Sequence, residues 1–310
     1  MDKLPISILV VDNGSSDDSI EQIKTFLDQQ ELRFKVSSRN RSYYQQFRPK
    51  DFSSVNILIN HENLGYAAAF NAGLNFLGVD NFEWFLLLNN DTEVKPDFLI
   101  NLLDMAERET QIDAWTPVIT YYHKPDLVWD IGGYLTFWGG RTFSGRKKAR
   151  SRFPHQGFTE RTFLTGCALL IKSEVIKVEG FLTEKFFFGE EDYWFAKLMQ
   201  TKNRRMAVCW EAEIKHKVAT SIKKVSPHSI IPLVYIHNLN RLINMKTWLS
   251  PTFYPIWKLF YIPYATFLLW WKHWIPFLQL VRFIHYLIKN SGNKESVTRD
   301  DFMGSKGLFQ

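Results

Sequence analysis

Three short apolar runs near the start of the chain limit what it can fold into. They are Ile6–Val11, Val55–Ile59 and Phe82–Leu88, the last broken only by Glu83. Continuous apolar runs of this length, bounded by turn signals, are the pattern of strands buried on both faces. Each run is followed by apolar residues at helical spacing. Ile20, Ile23 and Leu27 follow the first, and Tyr66, Phe70, Leu74 and Leu77 follow the second. Leu99, Leu102, Leu103 and Ala106 follow the third, behind Pro96, which suits a first helical turn. Alternation of strand and helix predicts an α/β fold with a mainly parallel central sheet flanked by helices. Ligands of such sheets sit beyond the carboxyl ends of the strands. Asp12 and Asp91 both fall at such ends, so the pattern places two carboxylates on one rim.

Between these units, residues 31–54 are polar and basic, with Arg39, Arg41, Tyr43 and Tyr44, and read as an irregular excursion. From 113 to 172 the pattern loosens. Gly132-Gly133 and Gly139-Gly140 suggest hairpins over the sheet, and Ala168–Ile171 reads as a strand. Glu191–Met199 reads as a helix and Met206–Cys209 as a further strand. Cys167 and Cys209 lack metal-ligand spacing and read as buried free thiols of a reducing compartment. The N-terminus has no apolar run with a cleavage site, so secretion by signal peptide is not expected.

The charge is unevenly distributed. The chain carries a net +6, yet no Asp or Glu occurs between Glu213 and Glu295, where Lys223, Lys224, Arg241, Lys258, Lys272, Arg282 and Lys289 fall. Trp257, Phe260, Tyr261, Phe267, Trp270, Trp271, Trp274 and Phe277 crowd the same region, with Pro255, Pro263 and Pro276 among them. A spanning helix needs about 20 mainly apolar residues. Lys258 and Lys272 bracket a shorter run that Pro263 interrupts. Residues 251–290 therefore read as interfacial helices on an anionic membrane surface. A span, or a helical subdomain packed on the rest, are the other readings. Bulky aliphatics and indoles dilute the basic residues, which argues against nucleic acid.

Five stretches can carry chemistry. Asp12-Asn13-Gly14 ends the first strand, where a carboxylate can accept from a nucleobase imide; an Asx turn is the plainer reading. Asn63-Leu64-Gly65-Tyr66 through Asn71 and Gly73 opens a helix with small residues, which let a ligand approach and offer a helix N-terminus to a diphosphate. Tight helix–sheet packing explains the same residues. Asn89-Asn90-Asp91 delivers polar groups to the end of an apolar strand. Mg²⁺ and Mn²⁺ often use one or two carboxylates plus substrate phosphates; a helix cap is the alternative. Glu190-Glu191-Asp192 follows Phe186-Phe187-Phe188-Gly189. Like charges and apolar surface raise a carboxylate's pKa and suit it to general-base work, while acids at a helix N-terminus also offset its dipole. His216, in Lys215-His216-Lys217, can be a metal ligand or simply structural.

The serial order of these stretches resembles the inverting family 2 glycosyltransferases of GT-A fold, especially their bacterial rhamnosyltransferase-like branch. The carrying segments are VVDNGSSDDS from Val10, NLGYAAAFNAG from Asn63, LLLNNDTEV from Leu86, TGCALLIKSEV from Thr165, FFFGEEDYW from Phe186 and HKVATS from His216. The resemblance implies a Rossmann-like catalytic domain over 1–222 and a basic, aromatic helical region over 223–310. It implies Asp192 as general base with Glu191 beside it. Asp12, Asn63, Gly65, Asn71, Asn89 and Asn90 would contact the donor, and Asp91 and His216 would hold Mg²⁺ or Mn²⁺. Trp129, Asp130, Thr165 and Gly166 would border the acceptor side. The donor would be dTDP-rhamnose or a UDP-sugar and the acceptor a bacterial surface glycan, lipid-linked or oligosaccharide. The enzyme would sit in the cytoplasm, peripheral on the inner face of the membrane.

Three departures accompany the resemblance. The family has an earlier strand and helix ending in a Thr-Tyr-Asn-like turn, so this chain is expected to be truncated or to replace that unit. The metal motif begins with Asn89 instead of Asp, and Lys197-Leu198 stands where the family often has Leu-Arg. A non-catalytic nucleotide-sugar or glycan-binding scaffold is the rival reading. A nucleotidyltransferase lacks its glycine- and lysine-rich triphosphate loop, and a dinucleotide oxidoreductase lacks Gly-x-Gly-x-x-Gly after a strand.

Overall fold

The computed structural model describes residues 6–39, 55–180, 182–218 and 230–309. Residues 40–54, Ala219 to Ser221 of the last motif, and Lys223 and Lys224 lie outside the described residues.

The three predicted apolar runs form β1 (Ile8–Asn13), β3 (Val55–Asn60) and β4 (Trp84–Leu88). The helical repeats form α1 (Ser19–Gln29), α2 (Tyr66–Leu77) and α3 (Phe98–Arg108). The expected irregular excursion contains a strand, β2 (Phe34–Arg39), which pairs in parallel with β3 at the outer edge of its sheet. Its alternation of Phe34 and Val36 with polar neighbours is that of an edge strand, which a search for continuous apolar runs does not detect.

The sheet expectation needs correction. β1, β3 and β2 form a three-stranded parallel sheet in the order β1-β3-β2. A second sheet of seven strands is mixed, not mainly parallel. It comprises β4, β5 (Thr92–Val94), β6 (Ala114–Tyr121), β7 (Lys124–Asp130), β10 (Phe158–Arg161), β11 (Ala168–Lys172) and β12 (Met206–His216). Its one parallel pairing is β12 with β6, and β11 is antiparallel to both β4 and β6. The cause is visible in the chain order. Strand–helix alternation stops after α3, so β6 to β11 follow without intervening α-helices and need not run in parallel. A separate hairpin joins β8 (Gly133–Leu135) to β9 (Arg141–Phe143).

Helix α2 lies between the two sheets. Ala72 and Phe76 pack with Leu58 and Leu9 of the first sheet, while Leu74 packs with Phe85 and Leu87 of the second. Its N-terminus therefore meets the carboxyl ends of β1 and β4 together, which is what brings the first three motifs to one rim.

The C-terminal region is helical, as expected. It consists of α6 (Ile230–Trp248), α7 (Phe253–His273), α8 (Phe277–Asn293) and the short α9 (Arg299–Gly304). Pro263 does not break α7, which runs on for a further ten residues to His273. No helix among the described residues is long and apolar enough to cross a membrane. Nor does this region stand apart. Ile231, Tyr235, Leu239, Trp257, Leu269 and Phe283 share one core with Phe186 and with Tyr193 of α5 (Glu191–Thr201).

A buried ion pair fixes this junction. Glu190 accepts from Arg241 Nε at 2.5 Å and Nη2 at 2.7 Å, and from Asn244 at 3.3 Å. Arg241 also donates to the Gly139 carbonyl, and its guanidinium lies 3.9 Å from the Tyr193 ring centroid. Arg241, counted among the basic residues of the acid-free stretch, is thus a core residue, 5 % exposed. Burial alone would raise the Glu190 carboxyl, but the Arg241 charge and hydrogen bonds outweigh it and hold it at about 2.

Breaking such a pair leaves a buried charge without its partner and costs on the order of 3–5 kcal/mol. Arg241→Met is expected to lower the unfolding free energy from denaturant melts by that amount, and Glu190→Leu/Arg241→Met to recover most of it. A single variant no less stable than the double would show that the pair does not hold the junction. The Glu190 contribution is present above the ordinary carboxylate range and disappears as pH falls towards about 2, where the residue protonates.

Candidate active site

The register of β12 builds the centre. Its end pairs antiparallel with β5, His216 facing Thr92, which sets His216 beside Asp91 one residue earlier. His216 Nε2 lies 3.0 Å from Asp91 Oδ1. Burial lowers the His216 pKa although Asp91 opposes this, so the imidazole is neutral near pH 7. The Trp129 ring stands edge-on to it, with centroids 4.3 Å apart. A carboxylate beside a neutral imidazole is a donor set that suits Mg²⁺ or Mn²⁺ completed by phosphate oxygens. No group of three potential His, Cys, Asp or Glu ligands occurs among the described residues.

The second motif reaches this centre through Tyr66. Its hydroxyl donates to the Gly166 carbonyl at 2.6 Å and lies 3.0 Å from Asn89 Oδ1. Asn63, Gly65, Asn89 and Gly166 are thus gathered at the α2 N-terminus. Asn13 Nδ2 donates to Asn63 Oδ1 and the Gly65 carbonyl, both at 3.1 Å, adding the end of β1. Asn90 is exposed on the same turn. Gly65 has φ +88°, and a Cβ there would stand 2.4 Å from the Phe187 carbonyl oxygen. The fourth motif's own backbone therefore already requires that glycine.

Other predicted contacts are engaged within the fold. Asp12 is buried and accepts from Ser15 N, three residues on, at 3.3 Å, a local bond within the turn that follows β1. Both ends of the Asn71 amide are used to hold the loop after residue 181. It donates to Leu182 O at 2.8 Å and Glu184 Oε1 at 2.7 Å, and accepts from Leu182 N at 3.1 Å. Thr165 is buried and accepts from Cys167 N at 3.4 Å. Asp130 is fully buried and accepts from Gly132 N at 2.7 Å, with Arg146 at 3.8 Å. Burial pushes Asp130 up to about 6, against the opposing Gly132 bond and Arg146 charge. Cys167 and Cys209 are free and buried.

Of the acids at α5, Glu190 is used up by Arg241. Glu191 is pushed up to about 8 by burial and by the neighbouring Asp192 charge, and its Oε2 has no hydrogen-bond partner among the described residues. Asp192 is accessible at 18 % of its side chain and pairs with Arg141 Nη1 at 2.9 Å. Arg141 also lies over the Phe163 and Phe143 rings, 5.0 and 5.5 Å from their centroids. Arg141 falls in no motif, and Tyr66, though inside the second, was given no site role. Arg141 sits in a glycine-rich hairpin without periodicity, and only the closeness of Gly139-Gly140 hinted that the segment turns back.

Residues 41–178 match the family model described as Glycosyl transferase family 2. The chain is similar to that family over this stretch. The match takes in Asn63 to Asn71, Asn89 to Asp91, Trp129, Asp130, Thr165 and Gly166, and ends before Asp192 and His216. No curated protein matches. Among solved structures, the crystal structure of GalNAc-T7 with UDP, GalNAc and Mn2+ superposes with a TM-score of 0.49 at 12 % identity, over 68 % of this chain. The chain spans 38 % of that protein's length. The crystal structure of A197 from STIV gives 0.38 at 13 % identity, over 68 % of this chain and 84 % of that one.

The Glu191 assignment is testable on the folded chain alone. A carboxyl raised from the ordinary range to about 8 favours the folded state at low pH, and that contribution is lost as pH rises through about 8. Glu191→Gln is therefore expected to remove a fall in melting temperature that the parent shows between roughly pH 4 and 8. A parent whose melting temperature holds level across that window would contradict a neutral Glu191.

Proposed function

We propose that this chain is an inverting glycosyltransferase of the GT-A type that moves a sugar from a nucleoside-diphosphate donor to an acceptor hydroxyl. The observation that carries the reading is the gathering of Asp91, Glu191 and Asp192 around the buried Tyr66 hydroxyl at the α2 N-terminus, where their charges all act on it, with His216 3.0 Å from Asp91, in a chain similar to family 2 over 41–178.

The residues divide the work. The α2 N-terminus that follows Asn63 and Gly65 offers the N–H groups of its first turn and a positive dipole end to a diphosphate, the Gly65 N–H itself being held by Asn63 Oδ1 at 2.9 Å. Asp91 and His216 would hold Mg²⁺ or Mn²⁺, which when bound neutralises charge on a departing diphosphate. Asp192 is the base. Glu191, protonated near neutral pH, has no site for another proton, whereas the ion-paired Asp192 carboxylate can take one from the attacking hydroxyl. The hydroxyl oxygen then attacks the anomeric carbon, the bond to the diphosphate oxygen breaks, and the configuration inverts. Trp129 beside His216 supplies an apolar wall on the acceptor side.

The donor we favour is dTDP-rhamnose or a UDP-hexose. The acceptor is a growing surface glycan, carried on a lipid or as an oligosaccharide. Residues 1–222 form the transferase unit. Residues 251–290 face an anionic membrane surface from the cytoplasm, at the inner face of the cell membrane. Because this region shares a core with Phe186 and Tyr193, its role is to be tested by point substitution; removing it would expose that core.

Asp192→Asn is expected to lower kcat by about 10²–10⁴-fold with donor affinity unchanged. Full turnover in that variant would exclude Asp192 as base. Asp91→Ala is expected to abolish the Mn²⁺-dependent part of donor binding in calorimetry, matching what a chelator does to the parent. Binding that a chelator leaves intact would remove the metal role.

A further inference from the structure

Helix α7 is apolar on two opposite faces. Trp257, Ile262, Ala265 and Leu269 point into the core. Ile256, Leu259, Phe260, Tyr264, Phe267, Trp270, Trp271 and Trp274 are exposed, at the spacing that makes one continuous outer stripe. Phe277, Leu278 and Val281 at the start of α8 extend it, Phe277 being 80 % exposed. A helix that is apolar all round is ordinarily buried all round, so this face calls for a partner.

The stripe has a contributor from elsewhere in the chain. The turn between β8 and β9 carries Phe137 and Trp138, which are 79 % and 61 % exposed. It sits on the first turns of α7. The Phe137 and Phe253 rings lie 6.2 Å apart, and Trp257 Nε1 donates to the Trp138 carbonyl at 2.7 Å.

We infer that the hairpin tip and the outer stripe of α7 and α8 form one face that lies on an anionic lipid bilayer. Three features select a bilayer. The exposed set is rich in tryptophan, whose amphipathic ring favours the membrane interface. Exposed Lys272 and Lys289 adjoin it, and no acidic residue occurs between Glu213 and Glu295, which complements anionic headgroups. No helix among the described residues can cross, so the face lies in the interface plane.

The hairpin links this face to the chemistry. Arg141, which holds Asp192, follows Trp138 by three residues, a span of at most roughly 10 Å. Asp192 therefore works close to the headgroup plane, where a lipid-carried acceptor presents its hydroxyl. The bilayer contact deepens the proposed membrane-facing role of residues 251–290 by adding the hairpin tip, and this last step rests on the transferase reading as well.

The test is co-sedimentation of the full chain with vesicles of phosphatidylcholine alone or mixed with phosphatidylglycerol. The parent is expected to partition about tenfold more strongly onto the anionic vesicles. Phe137→Ser/Trp138→Ser and Trp271→Ser/Trp274→Ser are each expected to weaken that binding about tenfold, with an unchanged thermal melt. Should a serine pair disturb the fold, Lys272→Glu/Lys289→Glu provides the second readout, an equal affinity for the two vesicle types. Hairpin-variant binding equal to the parent would overturn the hairpin's part. A parent that ignores vesicles and instead dimerises through Trp271 and Trp274 would overturn the bilayer, the face then being covered by a second copy. Because no arm measures transfer, absence of transferase activity would leave this result standing.

Discussion

The structure turns on the ion pair between Glu190 and Arg241. Glu190 has φ 74°, a left-handed conformation that ordinary side chains avoid, at the residue immediately before α5. It is held there by a guanidinium delivered from α6 and by Asn244 one turn on. Asn240 of the same helix donates to the Phe188 carbonyl at 2.8 Å. Removing the C-terminal helices would therefore free the loop that aims Glu191 and Asp192. Arg241 also binds the Gly139 carbonyl, so one side chain positions both the acidic motif and the hairpin that carries Arg141. A charge counted in the acid-free basic stretch is the fixed point of the interior.

How much of this was readable follows from the range of each signal. β1, β3, β4, α2 and α3 were legible because a buried strand or amphipathic helix writes its period into adjacent residues. Sheet order was not. The antiparallel insertion of β11 between β4 and β6 depends on residues more than fifty positions apart, and its local pattern is that of any buried strand. β2 was missed because an edge strand need not be continuously apolar. Asp91 and His216 could be named from motif order, but their contact depends on the pairing of β5 with β12, over 120 residues apart in sequence. Arg141 had no local signal, since its role is defined by what it touches.

The aromatic crowding of the tail illustrates the same boundary. Composition could not separate a packed helical subdomain from an interfacial one; the structure buries one face of α7 in the core and leaves the opposite apolar face exposed. Trp257 stacks on Tyr261 with centroids 4.5 Å apart in the interior, while Trp270 and Trp274 meet on the outside at 5.9 Å. Inner and outer residues alternate at helical spacing, so a window average over the sequence sees only uniform apolarity.

Three consecutive acids show most directly how environment, and not residue type, assigns a role. Glu190 is buried, yet it stays ionised because a bidentate cation compensates its desolvation. Glu191 has its Oε2 buried without such a cation and beside two negative neighbours, so it holds its proton near neutral pH. Asp192 is partly exposed, at 18 % of its side chain, and pairs with Arg141 at 2.9 Å. A single turn of backbone separates a structural anchor, a neutral acid and an accessible carboxylate. The left-handed turn at Glu190 opens α5, so the ion pair that holds Glu190 also holds the start of the helix that carries Glu191 and Asp192.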